Sequence, residues 1–425
     1  MIAWLLISFF VLLFLGVPIA MSLGLSAMGG ILFLGGGSTV TIAQRMFEGM
    51  NSFALLAIPL YTFAGFTMSK GGISKRLMDF CYSIVGHIYG GLAHVNVLSS
   101  MIFAGISGSA VADTAGVSGM FMPEMIRKGY SKNFTVAVTA ISSTIGIIIP
   151  PSIPMVVIAG ICGISTGKLF LGGIIPGILC GLAQMIVSYF LAKKEGVPKE
   201  PGHFTIGPVL HGLWESWPAL LMPIIIVGTI TMGIVSPTEA GVIAVVYGLF
   251  AGGIIYRELK WEDIKFAFAE TVRTSGRIFI VIGAAKLYTV MLTTAGFDKW
   301  VAKTMLGFST NPTVILIMIL LIFFIVTMFM ESIATLTLFM PILYPIALGV
   351  GINPIVLSVL ITVVIGIGLV TPPVGMCIYV ACDLMDTTVG KVFPTLVPFI
   401  AATFVCIALM VAFPQLILLP TYLMA

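Results

Sequence analysis

Four short stretches of this chain carry residue types suited to ion and ligand chemistry. Gly105-Ile106-Ser107-Gly108-Ser109 is followed closely by Asp113, and Thr327 to Glu331 ends on a second carboxylate. Gly146 to Ser152 holds the pair Pro150-Pro151, and Gly366 to Pro373 holds the pair Pro372-Pro373. Proline removes a backbone donor and frees a carbonyl one turn back. Glycine lets another group approach the backbone closely. Where such breaks sit among apolar helices, freed carbonyls can coordinate Na⁺, and helix N-termini favour an anionic group. The expectation is therefore two Na⁺ sites, one per break. The first would draw on Ser107, Gly108, Asp113, Gly146 and Pro150; the second on Thr327, Glu331, Gly366, Gly368 and Thr371.

The surroundings give these residues their weight. Of 425 residues only 8% are charged, 59% are apolar, and the mean hydropathy is +1.17. A soluble globular chain carries roughly 25% charge. The composition excludes a soluble enzyme, a disordered chain and a nucleic-acid binder. It points to a bilayer as solvent, with room for roughly ten to fourteen crossings of about 20 residues. A carboxylate inside a membrane costs about 2.5–3.5 kcal/mol on insertion scales, so Asp113 and Glu331 need a reason to be there. The bland reason is capping of a hairpin backbone. Lys286 reads equally as a snorkelling side chain or half of a structural pair. Glu239 closes Ser236-Pro237-Thr238-Glu239, a capping box with proline at the first helical position.

Other features carry little chemistry. The six cysteines are scattered without a CxxC, so no disulfide or zinc framework is implied. His87 and His94 could share a helix face, and His203 and His211 fall in a polar loop; without clustered carboxylates they do not suggest a metal. No nucleophile–base pair suggests an enzyme. Gly35-Gly36-Gly37-Ser38 lacks the lysine of a phosphate loop. The methionines read as apolar filler, and Trp214, Trp217, Trp261 and Trp300 as interfacial anchors. The N-terminus reads as a first membrane helix rather than a signal peptide.

These stretches are arranged as a repeat. Ile145 to Pro151 aligns with Ile367 to Pro373 at an offset of 222, and Pro176 with Pro398. Upstream, Asp113 and Phe121-Met122-Pro123 match Glu331 and Phe339-Met340-Pro341 at 218, which implies a four-residue insertion. The first repeat is expected over 1–203, with scaffold helices in 1–86, a hairpin and broken helix in 87–165 and a helix over 168–192. The second is expected over 204–425, with scaffold helices in 214–296, a hairpin over 312–348, a broken helix over 354–382 and a final helix over 391–422. Basic clusters at Lys70/Lys75/Arg76, Arg127/Lys128/Lys132 and Lys193/Lys194/Lys199 fall on one side if 88–125 is a re-entrant hairpin. Each half then has five crossings, an odd number, so the repeats must be inverted. The fold class expected is an all-α membrane protein of two inverted repeats, about ten spanning helices and two re-entrant hairpins. Irregular backbone cannot face lipid, so tips and breaks must be buried or line a cavity, the layout of a secondary transporter.

The motifs Gly105 to Asp113, Ile149-Pro150-Pro151-Ser152, Ser236-Pro237-Thr238-Glu239-Ala240 and Thr371-Pro372-Pro373-Val374-Gly375 resemble the large membrane subunit of TRAP transporters (DctM-like) across essentially the whole chain. The resemblance implies an elevator-type transporter of the ion transporter superfamily in the bacterial inner membrane. It implies a separate small four-helix membrane subunit, an extracytoplasmic substrate-binding protein, and import with Na⁺ of an organic acid such as sialic acid or a C4-dicarboxylate. Ser107, Ser109 and Ser152, with Glu331 as the acidic position of the second hairpin, would contact substrate. The rival reading is a stand-alone Na⁺-coupled carboxylate symporter of the same architecture.

Overall fold

A computed structural model describes residues 1–34, 38–197 and 205–424. The expectations for Gly35 to Gly37, Lys199 and His203 lie outside the described residues. The described residues form helices joined by short turns, with no strand among them. Among the described residues seven helices are long and apolar enough to cross a membrane, and six shorter ones are apolar.

The chain opens with α1 (Ile2–Phe14) and α2 (Ile19–Leu34), separated at Gly16, whose φ of +81° suits glycine. Then come α3 (Thr39–Met50), α4 (Ala57–Lys70) and α5 (Ile73–Val85). The first hairpin is α6 (Gly91–Ser107) and α7 (Ala110–Arg127). The first broken crossing is α8 (Lys132–Ser143) and α9 (Ile153–Cys162), joined by a 3₁₀ turn at Thr144–Ile147 and a cis Pro150-Pro151 bond; α10 (Thr166–Glu195) follows.

The second half has α11 (Ile206–Thr231), α12 (Pro237–Phe250), α13 (Trp261–Thr294) and α14 (Phe297–Phe308). Its hairpin is α15 (Pro312–Thr327) and α16 (Ser332–Gly349). Its broken crossing is α17 (Pro354–Gly368) and α18 (Met376–Leu384), around cis Pro372-Pro373, before α19 (Val389–Ala412) and α20 (Gln415–Leu418).

Local chemistry sets these boundaries. Asn311 and Asn353 cap α15 and α17 with proline at N1, and Ser236 and Glu239 form the expected capping box on α12. Four elements differ from expectation. The final helix expected over 391–422 ends at Ala412, because Pro414 cannot continue it, and α20 and a 3₁₀ turn follow; α14 lies between the expected scaffold helices and the second hairpin, amphipathic and so weak in hydropathy. Residues 39–50 form a helix that the hydropathy reading passed over, because α3 is amphipathic and none of its residues is buried. Helix α13 starts at Trp261 and runs 34 residues, its charged first turns lying outside the apolar stretch that marks a crossing. Glu262 and Asp263 suit its positive N-terminal end, and Arg273 faces outward, 66% exposed, paired with Glu270. His87 lies between α5 and α6 and His94 within α6, so they do not share a helix face.

The repeat is more regular than the sequence suggested. Helices α7 and α16 are both 18 residues long and start at 110 and 332. Pro123 and Pro345 lie inside them, and both are followed by left-handed glycines, Gly129 and Gly351. The offset of 222 thus holds through the hairpins, and no four-residue insertion exists. The Phe-Met-Pro match at 218 misled because α16 contains two prolines, Pro341 and Pro345. Glu331 is consequently the counterpart of Ser109, and Asp113 that of Thr335.

The halves pack across one another. Helix α9 lies on α16, α18 on α7 and α8, α10 on α17, and α19 on α8. Every residue of α17 from Ile355 to Gly368 is buried, as expected of a helix apolar on all sides. A second group packs α4 on α12, α5 on α11 and α13 on α2, α3 and α4. Arg76 joins the halves there: its guanidinium lies 2.8 Å from Glu258 and 4.2 Å above the Tyr256 ring.

Candidate functional site

At the first hairpin tip α6 ends at Ser107, Gly108 reverses the chain at φ +65°, and Ser109 caps α7, its hydroxyl accepting from the Ala112 N–H. A Cβ on Gly108 would stand 2.6 Å from the Pro151 carbonyl oxygen, so this approach requires glycine. The Ile153 N–H donates to the Gly108 carbonyl at 3.2 Å and pins the tip to the break. Asp113 is fully buried one turn into α7. Its Oδ1 accepts from the Ser107 hydroxyl, whereas its Oδ2 has no hydrogen-bond partner. That orphaned oxygen points at Gly146, where a Cβ would fall 2.0 Å from it. The tip, the carboxylate and the break therefore form one cluster: Ser107, Gly108, Ser109, Asp113, Gly146 and the Pro150-Pro151 turn. Ser152 is also buried there, but its hydroxyl donates to the Ile147 carbonyl and accepts from the Met155 N–H, which caps α9.

The second tip is built differently. Glu331 is the N-cap of α16: its Oε2 accepts from the Ile333 and Ala334 N–H groups at 3.0 and 3.3 Å, and its Oε1 from the Ser332 hydroxyl at 2.8 Å. Both oxygens thus have donors. Thr327 and Thr371 donate to carbonyls one turn back, Phe323 and Ile367. Gly368 backs directly onto Thr327, and the Val374 N–H donates to the Met328 carbonyl at 2.9 Å. Gly368 and Thr327 therefore lie against each other, with Thr371 one turn from Gly368 on the same break. Gly366 does not join them. It is still helical and faces Thr144 of the first break.

The two sites meet through α18. Cys377, buried in its first turn, touches Thr114 and lies within electrostatic reach of both Asp113 and Glu331. Beside it a pocket of about 420 Å³ opens between the start of α7 and α18, lined by Val111, Pro373, Val374, Met376, Tyr379 and Val380. Sequence reasoning missed these six, because an apolar residue at a membrane site looks like any lipid-facing one. The periodic signal available was the offset of 222, which pairs exposed Val374 and Tyr379 with the buried Ser152 and Val157. Lys286 rests its stem on Gly49 and lies within electrostatic reach of Glu48, away from both clusters. No group of three or more His, Cys, Asp and Glu with metal-ligand geometry occurs among the described residues.

Comparison with known proteins agrees with this architecture. Among solved structures, the YdaH transporter of Alcanivorax borkumensis superposes with a TM-score of 0.60 over 86% of each chain, at 13% identity, a likeness of fold alone. The sialic acid TRAP transporter large permease protein SiaM of Vibrio cholerae is 35% identical over 96% of this chain and 95% of its own. The C4-dicarboxylate TRAP transporter large permease protein DctM of Pseudomonas aeruginosa is 35% identical over 95% of this chain and 94% of its own. The isethionate TRAP transporter permease protein DctMQ of Oleidesulfovibrio alaskensis is 37% identical over 92% of this chain, which spans 62% of that longer protein. The family described as the tripartite ATP-independent periplasmic transporter, DctM component, matches residues 6–416. The chain belongs to that family, and is a multi-pass membrane permease of a bacterial transporter class.

Proposed function

We propose that this chain is the large subunit of a Na⁺-coupled tripartite importer of an organic acid, working in the bacterial inner membrane with a small membrane subunit and a periplasmic binding protein. The observation that carries the coupling is the unpartnered Oδ2 of buried Asp113, facing the open backbone of Gly146. A buried carboxylate oxygen without a donor is costly. The donor set around it is hydroxyl, carbonyl and carboxylate oxygen, which suits a small hard cation. Ser107, Gly108, Asp113, Gly146 and Pro150 would hold the first Na⁺, whose charge would neutralise Asp113 and favour an anion nearby. The second set, Thr327, Glu331, Gly366, Gly368 and Thr371, offers oxygens too, though Glu331 shares its charge with the cap it makes and Gly366 faces away. Ser109, half-buried at the tip, is the hydroxyl best placed for substrate; Ser107 orients Asp113, Ser152 shapes the break, and Glu331 fixes the second tip.

The element order, two hairpins and two broken crossings related by 222 residues, supports reading 1–203 and 204–425 as inverted repeats. The hairpins and broken helices would move as a unit against the α4, α5 and α11–α13 group. Charge bookkeeping requires a driving ion: moving one negative charge inward against 100 mV costs about 2.3 kcal/mol. The relatives named for sialic acid, C4-dicarboxylate and isethionate suggest an organic anion. The test is uptake of labelled sialic acid, succinate and isethionate into proteoliposomes holding this chain and its small subunit. Uptake that needs both a Na⁺ gradient and the binding protein supports the proposal. Na⁺-driven uptake without the binding protein would instead establish a stand-alone symporter.

A further inference from the structure

We infer that Gly65 of α4 and Pro223 of α11 are positioning residues for the first cation seat. They brace the hairpin tip from behind, and the seat holds Na⁺ at full strength only while the tip rests on them. The inference rests on the ion-site reading above and adds to it what keeps Ser107 in place. Both residues press on the last turn of α6, whose Ser107 hydroxyl donates to the Asp113 carboxylate. A Cβ on Gly65 would stand 3.3 Å from the Ser107 Cα and 3.7 Å from the Ile106 carbonyl oxygen. The α4 backbone therefore lies directly against the turn that carries the hydroxyl. Two residues earlier, a Cβ on Gly105 would stand 2.5 Å from the Pro223 Cγ and 3.7 Å from the Pro150 carbonyl oxygen of the break. Gly65 and Gly105 are both buried. Close-packed interiors transmit strain, so a displacement at either contact is passed on to Ser107.

The brace has little room to recede. On its far side α4 is held by α12: a Cβ on Gly241 would lie 2.9 Å from the Leu60 Cβ, and one on Gly248 3.1 Å from the Met68 Cγ. The Tyr61 hydroxyl also donates to the Pro237 carbonyl at 2.8 Å. The front of the tip is fixed as well, by the Ile153 N–H bond to the Gly108 carbonyl. The position of Ser107 beside Asp113 is thus set from two sides, by the break and by the scaffold. Helices α4 and α11 belong to the group against which the hairpins would move, so Na⁺ affinity is tied to where the tip stands on that group.

The experiment uses the purified chain with its small subunit and reads Na⁺ affinity from the rise in melting temperature as Na⁺ replaces K⁺. Gly65→Val adds two further methyls to a contact already at 3.3 Å and must shift the Ser107 backbone. It should lower Na⁺ affinity about tenfold, as expected of a binding constellation moved by more than about 0.5 Å. Gly105→Ala and Pro223→Ala should each lower the affinity too. In the double variant the new methyl takes the space of the lost ring, and affinity should recover to within about threefold of the unaltered protein. Gly212→Ala is the control: its Cβ would stand 3.1 Å from the Phe80 Cα, elsewhere on α11. It should lower the Na⁺-free melting temperature and leave Na⁺ affinity within about twofold. Unchanged affinity in Gly65→Val, an equal loss in Gly212→Ala, or additive losses in the double variant overturns the inference and leaves the ion-site reading standing. If Gly65→Val fails to fold, the Gly105 and Pro223 variants decide alone. Absence of any Na⁺-dependent rise in the unaltered complex overturns both.

Discussion

The two hairpin tips are built on one plan and finished differently. Each follows an apolar helix, caps an 18-residue helix and is bonded through one backbone N–H to the break beside it. In register, Gly146 and Gly368 both press against the neighbouring hairpin, one on the Asp113 carboxylate and the other on Thr327. The difference lies in where the acid stands. Glu331 is at the cap itself, where backbone donors consume its charge. Asp113 is one turn further in, past the cap, where only Ser107 reaches it. Moving an acid by one helical turn converts a structural cap into an unsatisfied charge. The lesson is that an intramembrane carboxylate is a functional signal only after its hydrogen bonds have been assigned.

Substitutions can break this comparison. The largest effect is expected from Asp113→Asn against Glu331→Gln. The first removes the charge from the orphaned oxygen and should reduce Na⁺-driven uptake by at least about 100-fold, since it deletes charge–ion interactions worth about 3 kcal/mol or more. The second keeps an acceptor for the Ile333 and Ala334 N–H groups and should retain uptake within about threefold, the loss of charge on the capping bonds being about 0.5 kcal/mol. Equal losses would mean that the two acids are functionally equivalent.

Gly146→Ala comes next. Its methyl would fall 2.0 Å from the Asp113 Oδ2 and should lower apparent Na⁺ affinity by about tenfold or more. Gly366→Ala meets only ordinary contacts, at 3.4 Å from the Thr144 Cβ, and should leave it within about twofold. A Na⁺ titration of uptake separates the two. For stability the order of the hairpins reverses. Glu331→Ala removes the acceptor of the Ile333 and Ala334 N–H groups at the start of α16 and should cost about 2 kcal/mol, while Ser109→Ala removes one long bond of 3.4 Å and should cost about 0.5 kcal/mol. Thermal unfolding in detergent reads both. A similarly small effect is expected at the link between the halves. Arg76→Ala removes a partly exposed pair with Glu258, 27% and 47% exposed, and should cost about 0.5–1 kcal/mol, less in high salt.

Much of this was legible in the residues. The Pro-Pro pairs announced both breaks, the Ser-Gly-Ser turn announced the first tip, and Asn311-Pro312 and Asn353-Pro354 marked helix starts to the residue. These signals are local, because cap and turn geometry is fixed within four residues. The register of the hairpins was misread because a short Phe-Met-Pro match outweighed helix length, which only tertiary packing fixes. Helix α3 and the first turns of α13 were passed over because hydropathy does not detect an amphipathic surface helix. The apolar pocket was invisible for the opposite reason: Val374 and Met376 are exposed to it, yet in sequence they differ in nothing from residues exposed to lipid.

The central claim is that the orphaned oxygen of Asp113 is a seat for Na⁺. Its most direct test is the melting temperature of the purified complex as Na⁺ replaces K⁺ at constant ionic strength. A ligand at a hundred times its Kd stabilises by about 2.7 kcal/mol. The account predicts a Na⁺-dependent rise in the unaltered protein and in Glu331→Gln, with most of the rise lost in Asp113→Asn. An undiminished rise in Asp113→Asn would contradict it.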